Sequence, residues 1–148
     1  MYAIHIFPEL SSRIQSIRKK YDLLADKIPP HITLVYPMQD VSLQKLQDAV
    51  NTITTHSFEI TTGDITIMHK QHILLIDKGK EILKQIHEQL YSILPDNRWE
   101  GSTYIPHITL GNKKISEAIP KESCIVNEIV IEEIQEDDSS RIVFRKNI

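Results

Sequence analysis

Two copies of one short string, HITL at 31–34 and again at 107–110, constrain this chain more than any other feature. They lie about half the chain apart, and a proline (Pro30, Pro106) precedes each. A β-strand sends successive side chains to opposite faces. His31 and Thr33 therefore share one face while Ile32 and Leu34 take the other, and His107 and Thr109 repeat this against Ile108 and Leu110. The apolar parity marks a face for the core. The polar parity, repeated, points to a shared cleft in which two imidazoles meet one substrate.

The neighbouring segments repeat as well. YAIHIF reads as a strand stopped by Pro8, and Leu10, Ile14, Ile17, Tyr21, Leu24 and Ile28 then recur at helical spacing until Pro29 and Pro30. The first His strand covers about 31–36. In the second half HILLID is a strand, Ile82, Leu83, Ile86, Leu90, Ile93 and Leu94 form a helical stripe, and the second His strand follows at about 104–111. Between the halves, Leu43, Leu46, Val50 and Ile53 predict a helix with Ser42 as its N-cap. Strands near 57–68 and 72–77 come next, and a parity change across Gly63 suggests a bulge in the first. A helical turn near 115–119 and strands at 124–134 and 141–146 close the chain. The expected fold is α+β: two pseudo-symmetric α/β lobes, about 1–70 and 71–148, with mainly antiparallel sheets around a central cleft. Residues 1–148 are expected to form a single domain and one cooperative unit.

Composition narrows the function classes. The net charge is −3, from 17 basic and 20 acidic residues, and the basic ones are scattered. Proteins that track a long phosphate backbone carry a basic surface, so no extended nucleic-acid binding is expected. A small phosphorylated nucleotide or an RNA end needs only local positive charge. Cys124 is the only cysteine, which excludes an intrachain disulfide and a thiolate zinc cluster. No apolar run approaches the ~20 residues of a membrane span. MYAIHIFPEL lacks the pattern of a secretory signal, so the expectation is a cytoplasmic monomer without membrane contact.

Histidine holds or releases a proton near neutrality, and two of them can divide a reaction into proton removal and proton donation. Each Thr hydroxyl lies on the same face, about 6–7 Å further along by strand rise, where it can donate to a nonbridging phosphate oxygen. A cyclic phosphate attacked in line by water suits this arrangement, with no metal and no cofactor called for. Either string alone is better explained as a core strand with a hydrogen-bonded histidine. The doubling, with proline before each copy and matching places in a repeated half, favours the site.

The pair of H-x-[TS]-hydrophobic motifs, His31-Ile32-Thr33-Leu34 and His107-Ile108-Thr109-Leu110, resembles the two-histidine (2H) phosphoesterase superfamily. That group includes bacterial 2′,5′-RNA ligase-like proteins and cyclic nucleotide phosphodiesterases, and the resemblance covers nearly the whole chain. It implies two lobes with the histidines facing across a groove, and metal-independent hydrolysis or reversible formation of phosphodiesters at a ribose 2′ or 3′ oxygen. It implies His31 and His107 as the catalytic pair, with Thr33 and Thr109 binding phosphate. In much of the family the N-terminal histidine is the acid and the C-terminal one the base in cyclic-phosphate opening. The leading reading is a 2′,3′-cyclic phosphodiesterase. The alternatives are a 2′,5′-RNA ligase acting on RNA ends, or a protein that binds RNA ends or a phosphorylated metabolite without turnover.

Other residues carry weaker signals. Trp99, in the loop before the second motif, is placed to stack on a base or to plug the core edge. His5 and Phe7 have the parity to line the cleft, with solvent exposure equally open to His5. Tyr36 and Tyr104 share the parity of buried residues, which favours packing. Arg141 and Arg145 point away from the core. His69 and His72 flank a hairpin turn and read as surface residues, not metal ligands, and His56 and His87 read as helix-end and helix-flank residues.

Overall fold

The computed structural model describes residues 1–148. The strands are β1 (Tyr2–Ile6), β2 (Ile32–Met38), β3 (Phe58–Met68), β4 (Gln71–Ile76), β5 (His107–Gly111), β6 (Ser123–Val126), β7 (Glu128–Ile134) and β8 (Ser140–Asn147). Three helices intervene: α1 (Ser12–Tyr21), α2 (Leu43–Asn51) and α3 (Lys80–Tyr91). All eight strands join one sheet in the order β6-β3-β4-β5-β2-β1-β7-β8, and every pairing is antiparallel. The α+β class and the antiparallel sheet are as expected from the sequence. No helix is long and apolar enough to cross a membrane.

The sheet must curl. β6 and β7 are separated in sequence by Asn127 alone, yet six strand spacings divide them in the sheet order. In a flat sheet that is about 29 Å, whereas the Cα atoms of residues 126 and 128 are at most about 7 Å apart. What reads as one strand over 124–134 is therefore two. Its first part pairs with β3, its second with β1 and β8, and the single-residue link draws opposite parts of the sheet together. The apolar faces of β1, β2, β5 and β7 and the buried stripes of α1, α2 and α3 form one continuous core, which includes Ile32, Leu34, Ile108, Leu110, Ile14, Leu46 and Leu83. The helices thus cover the Ile/Leu face of the central strands and leave the His/Thr face free.

Local chemistry accounts for most boundaries. The Ser42 hydroxyl accepts from the Lys45 amide at 3.2 Å, capping α2 as expected. The β3–β4 register shifts between Thr62 and Ile65, the bulge expected at Gly63. Helix α1 ends at Tyr21, short of Ile28. There the Asp22 carboxylate takes the Arg18 guanidinium and the Leu24 amide, turning the chain aside. The end of β5 also presses on this point: a Cβ on Gly111, whose φ is +136°, would lie 2.1 Å from the Tyr21 carbonyl oxygen. Residues 115–119 form no helical turn; they run as an irregular connection.

Candidate active site

Strands β2 and β5 are neighbours at the middle of the sheet, with Ile32 opposite Ile108. In an antiparallel pair that register sets His31 opposite Thr109 and Thr33 opposite His107. Directly opposed side chains have Cβ atoms about 4.5–5.5 Å apart, so the four polar residues form one compact cluster with each imidazole beside the other motif's threonine. All four are half-buried. The structure thus brings together two strings that stand half the chain apart.

The prolines explain how each ring is aimed. A residue before proline is confined to extended backbone, and proline fixes its own φ. Pro29 and Ile105 stand in that position, and their carbonyls turn toward the rings. His31 Nδ1–H donates to the Pro29 carbonyl at 2.9 Å, and His107 Nδ1–H to the Ile105 carbonyl at 2.6 Å. A carbonyl can only accept, so Nδ1 carries the proton in both neutral rings and each Nε2 keeps its lone pair. Burial is the main cause that lowers both pKa values. His31 falls to about 3, with further repulsion from His5 and Arg18 against the support of the Pro29 carbonyl and Glu132. His107 is also lowered, its repulsive neighbour being His69.

A second group of side chains holds β2 from behind. The Tyr104 hydroxyl donates to the Thr33 carbonyl at 2.9 Å, and its ring stacks on His87 at 3.8 Å between centroids with 3° between planes. His87 Nδ1–H donates to the Leu34 carbonyl at 2.8 Å. His87 is buried, not a flanking residue, and burial keeps it neutral by lowering its pKa. Tyr104, whose phenol burial pushes up, packs as its parity suggests and also braces the first motif.

Two hollows flank the cluster. One, of about 380 Å³ beside His107, is lined by Tyr36, Pro37, Met68, His69, Trp99 and Ile105 among others. Trp99 is 68% exposed and stands edge-on to His69 at 4.6 Å, so it does not plug the core. Tyr36 turns out to line this hollow as well as to pack. The other hollow, of about 450 Å³, sets Arg18, Asp22, Gln71 and Asn112 beside His31 and Thr109, with Leu23, Leu24 and Ile28 supplying apolar wall. Arg18, buried and bound to Asp22 at 2.8 Å, is its only cation. Arg141 and Arg145 lie on the exposed face of β8, paired with Glu133 and Glu128. His69 is exposed and His72 half-buried, and no third ligand joins them.

His5 departs most from expectation. It is only 3% exposed, and its Nδ1 lies 2.6 Å from the Glu132 carboxylate. Its ring centroid is 4.4 Å from that of His31. Strand parity put His5 on the cleft face; nothing in the sequence disclosed a partner near the other end of the chain.

Fold and cluster together define a chain built around two opposed His-x-Thr strands, and comparison with known proteins agrees. Residues 6–141 match the 2′-5′ RNA ligase superfamily, and the chain belongs to that superfamily of two-histidine phosphoesterases. A Geobacillus kaustophilus protein named "Putative phosphoesterase" is 33% identical over 120 residues, covering 74% of this chain and 68% of that one. A Geobacillus thermodenitrificans protein of the same name is 31% identical over 118 residues with the same coverage. Escherichia coli LigT, solved in complex with 3′-AMP, superposes with a TM-score of 0.70 at 20% identity over 99% of this chain and 97% of that one. The TT0787 protein of Thermus thermophilus gives 0.66 at 13% identity over 99% and 96%. At these identities the solved structures speak for the fold.

Proposed function

We propose that this chain is a metal-independent phosphoesterase that opens 2′,3′-cyclic phosphates or closely related ribose phosphodiester bonds. The observation that carries the proposal is the matched setting of the two imidazoles. Each has Nδ1 tied to the carbonyl of the residue before a proline and Nε2 free, and each faces a threonine of the other strand. A phosphate between them meets two proton-transfer groups and two hydroxyl donors. Water attacks phosphorus in line with the departing ribose oxygen. One imidazole takes the water proton as the new P–O bond forms, and the other gives a proton to the ribose oxygen as the old bond breaks. The Thr33 and Thr109 hydroxyls donate to the nonbridging oxygens.

Both rings rest neutral, and one must be charged to act as the acid. A bound phosphate anion supplies the reason, because an adjacent negative charge favours the imidazolium form. The aromatic hollow beside His107 suits a nucleobase, with Trp99 as the stacking surface. E. coli LigT has been solved with phosphate and with 3′-AMP, ligands of the chemistry proposed for this site. The hollow beside His31 holds a single, internally paired cation, which fits a small nucleotide or an RNA end better than a long strand.

The test is turnover of nucleoside 2′,3′-cyclic phosphates in excess EDTA. Wild type is expected to give a bell-shaped pH profile, and His31→Ala and His107→Ala each to lose about 10²–10⁴-fold in rate. Equal turnover by all three proteins refutes the proposal.

A further inference from the structure

The duplicated halves give the two motifs different neighbours on the outer flank of each His strand. Helices α1 and α3 begin at Ser12 and Lys80, and aligning those two starts carries His5 onto Ile73. The sheet agrees: His5 on β1 stands opposite Thr33, and Ile73 on β4 stands opposite Thr109. Beside the second motif the position is a buried aliphatic side chain. Beside the first it is an imidazole.

That imidazole is held firmly. Strand β7 pairs with β1 and brings Glu132 alongside, where one carboxylate oxygen meets His5 Nδ1 at 2.6 Å and the other accepts from the Ser140 hydroxyl at 2.9 Å. Phe7 closes the space, its ring 6.1 Å from His5 and 6.2 Å from His31. Lys27 and Arg145 line the hollow outside Glu132 but bind elsewhere, Lys27 to the Asp137 carbonyl and Arg145 to Glu128. His5 is thus the one cation-forming side chain in contact with the Glu132 carboxylate. Burial, the largest single influence, raises that carboxyl, yet His5, the Ser140 hydroxyl and His31 together outweigh it and hold the group below its ordinary range.

We infer that His5, anchored by Glu132, is a positioning residue that distinguishes the two motif histidines, keeping His31 as the proton acceptor and leaving His107 as the proton donor. The His5 and His31 ring centroids stand 4.4 Å apart, so a proton on one ring opposes a proton on the other. The other charged groups facing His31 are Arg18 from α1, balanced by Asp22, and Glu132 itself; the β5 residue opposite is the uncharged Thr109. The direction of the His31 shift agrees. Around His107 the titratable neighbour is the exposed His69, and Ile73 offers no charge. The roles are the reverse of those the family resemblance implies. The assignment of acid and base rests on the phosphoesterase reading; the effect of His5 on His31 does not.

Two measurements test it. In the substrate-free protein, labelled histidine followed by NMR reads the His31 ring directly. Wild-type His31 is expected to stay neutral from about pH 5 to 8. In His5→Gln, its titration midpoint rises by at least about one pH unit, a tenfold gain in proton affinity. The double variant His5→Phe with Glu132→Gln keeps the ring contact without either charge and reports the same rise if the single variant does not fold. The His107 midpoint stays put in both. A His31 titration unchanged in every folded variant overturns the inference. The second measurement uses a nucleoside p-nitrophenyl phosphodiester, whose nitrophenolate departs without a proton. His107→Ala is expected to keep turnover within about tenfold of wild type on this substrate, while His31→Ala does not. Equal losses, or rescue of His31→Ala instead, overturn the role assignment. No turnover of any phosphodiester by wild type refutes the phosphoesterase reading and the roles with it, and leaves the NMR result to decide whether His5 governs His31.

Discussion

Lowering the pH from 7 to 5 should cost this protein stability through His31, and the amount can be worked out. In the unfolded chain the imidazole binds its proton near pH 6.5; in the folded protein, where burial and the flanking His5 oppose the charge, it does so at about 3. Between those values the unfolded state holds more protons, so stability falls as pH falls. For a single group with these two values the loss between pH 7 and 5 is about 2 kcal/mol, an upper bound because the ring is half-buried and reaches the cleft water. Urea unfolding of wild type and His31→Asn at both pH values isolates the term, since asparagine has no proton to bind and the carboxylates titrate in both proteins. The expected result is a pH-dependent loss smaller in the variant by about 1–2 kcal/mol. Equal losses in the two proteins would mean that His31 binds its proton at the same pH folded and unfolded, so that neither burial nor the flanking His5 opposes its charge.

Three further substitutions probe other parts of the construction. Trp99→Ala should leave the urea midpoint unchanged, because the ring is 68% exposed, and raise KM for a nucleoside cyclic phosphate about tenfold, within the ~1–3 kcal/mol of a stacked base; an unchanged KM removes Trp99 from the site. Gly111→Ala forces a methyl to 2.1 Å from the Tyr21 carbonyl at a φ of +136° and should destabilise by at least about 2 kcal/mol in urea, and a near-neutral effect would show that α1 is free to move off β5. Tyr104→Phe keeps the stack on His87 but strips the bond to the Thr33 carbonyl, for a loss of about 1–2 kcal/mol measured the same way. No loss there would mean that water takes over the carbonyl and that Tyr104 does not brace the first motif.

Strand parity carries most of what the sequence discloses about this fold and site. It put His31, Thr33, His107 and Thr109 on one face and their Ile and Leu partners in the core, and the capping serine and the Gly63 bulge followed from equally local rules. The failures share a cause: they depend on which distant segment lies next door. α1 stops at Tyr21 because Gly111 of β5 and the Arg18–Asp22 pair meet it there, although its apolar spacing continues to Ile28. The stretch 124–134 is apolar over most of its length and reads as one strand, yet its two ends serve different neighbours. His5 looked ambiguous because a lone histidine on a strand carries no sign of its partner; Glu132 reaches it only through the pairing of β7 with β1.

A duplicated fold can run an asymmetric reaction only if its two halves differ around the site. Two identical motifs related by a repeat supply two equal imidazoles, whereas proton removal and proton donation need unequal ones. The inequality has to come from outside the motifs, and it does so at several places. With the starts of α1 and α3 aligned, His5 matches Ile73 and Arg18 matches Ile86, so both groups that oppose a proton on His31 have aliphatic counterparts in the second half. The chain from Lys80 to His107 is also longer than the matching chain from Ser12 to His31, and most of the excess falls between α3 and β5. That extra length lies in the segment that carries Trp99 and helps wall the aromatic hollow beside His107. Charge is therefore added on one side of the sheet's central pair and apolar surface on the other.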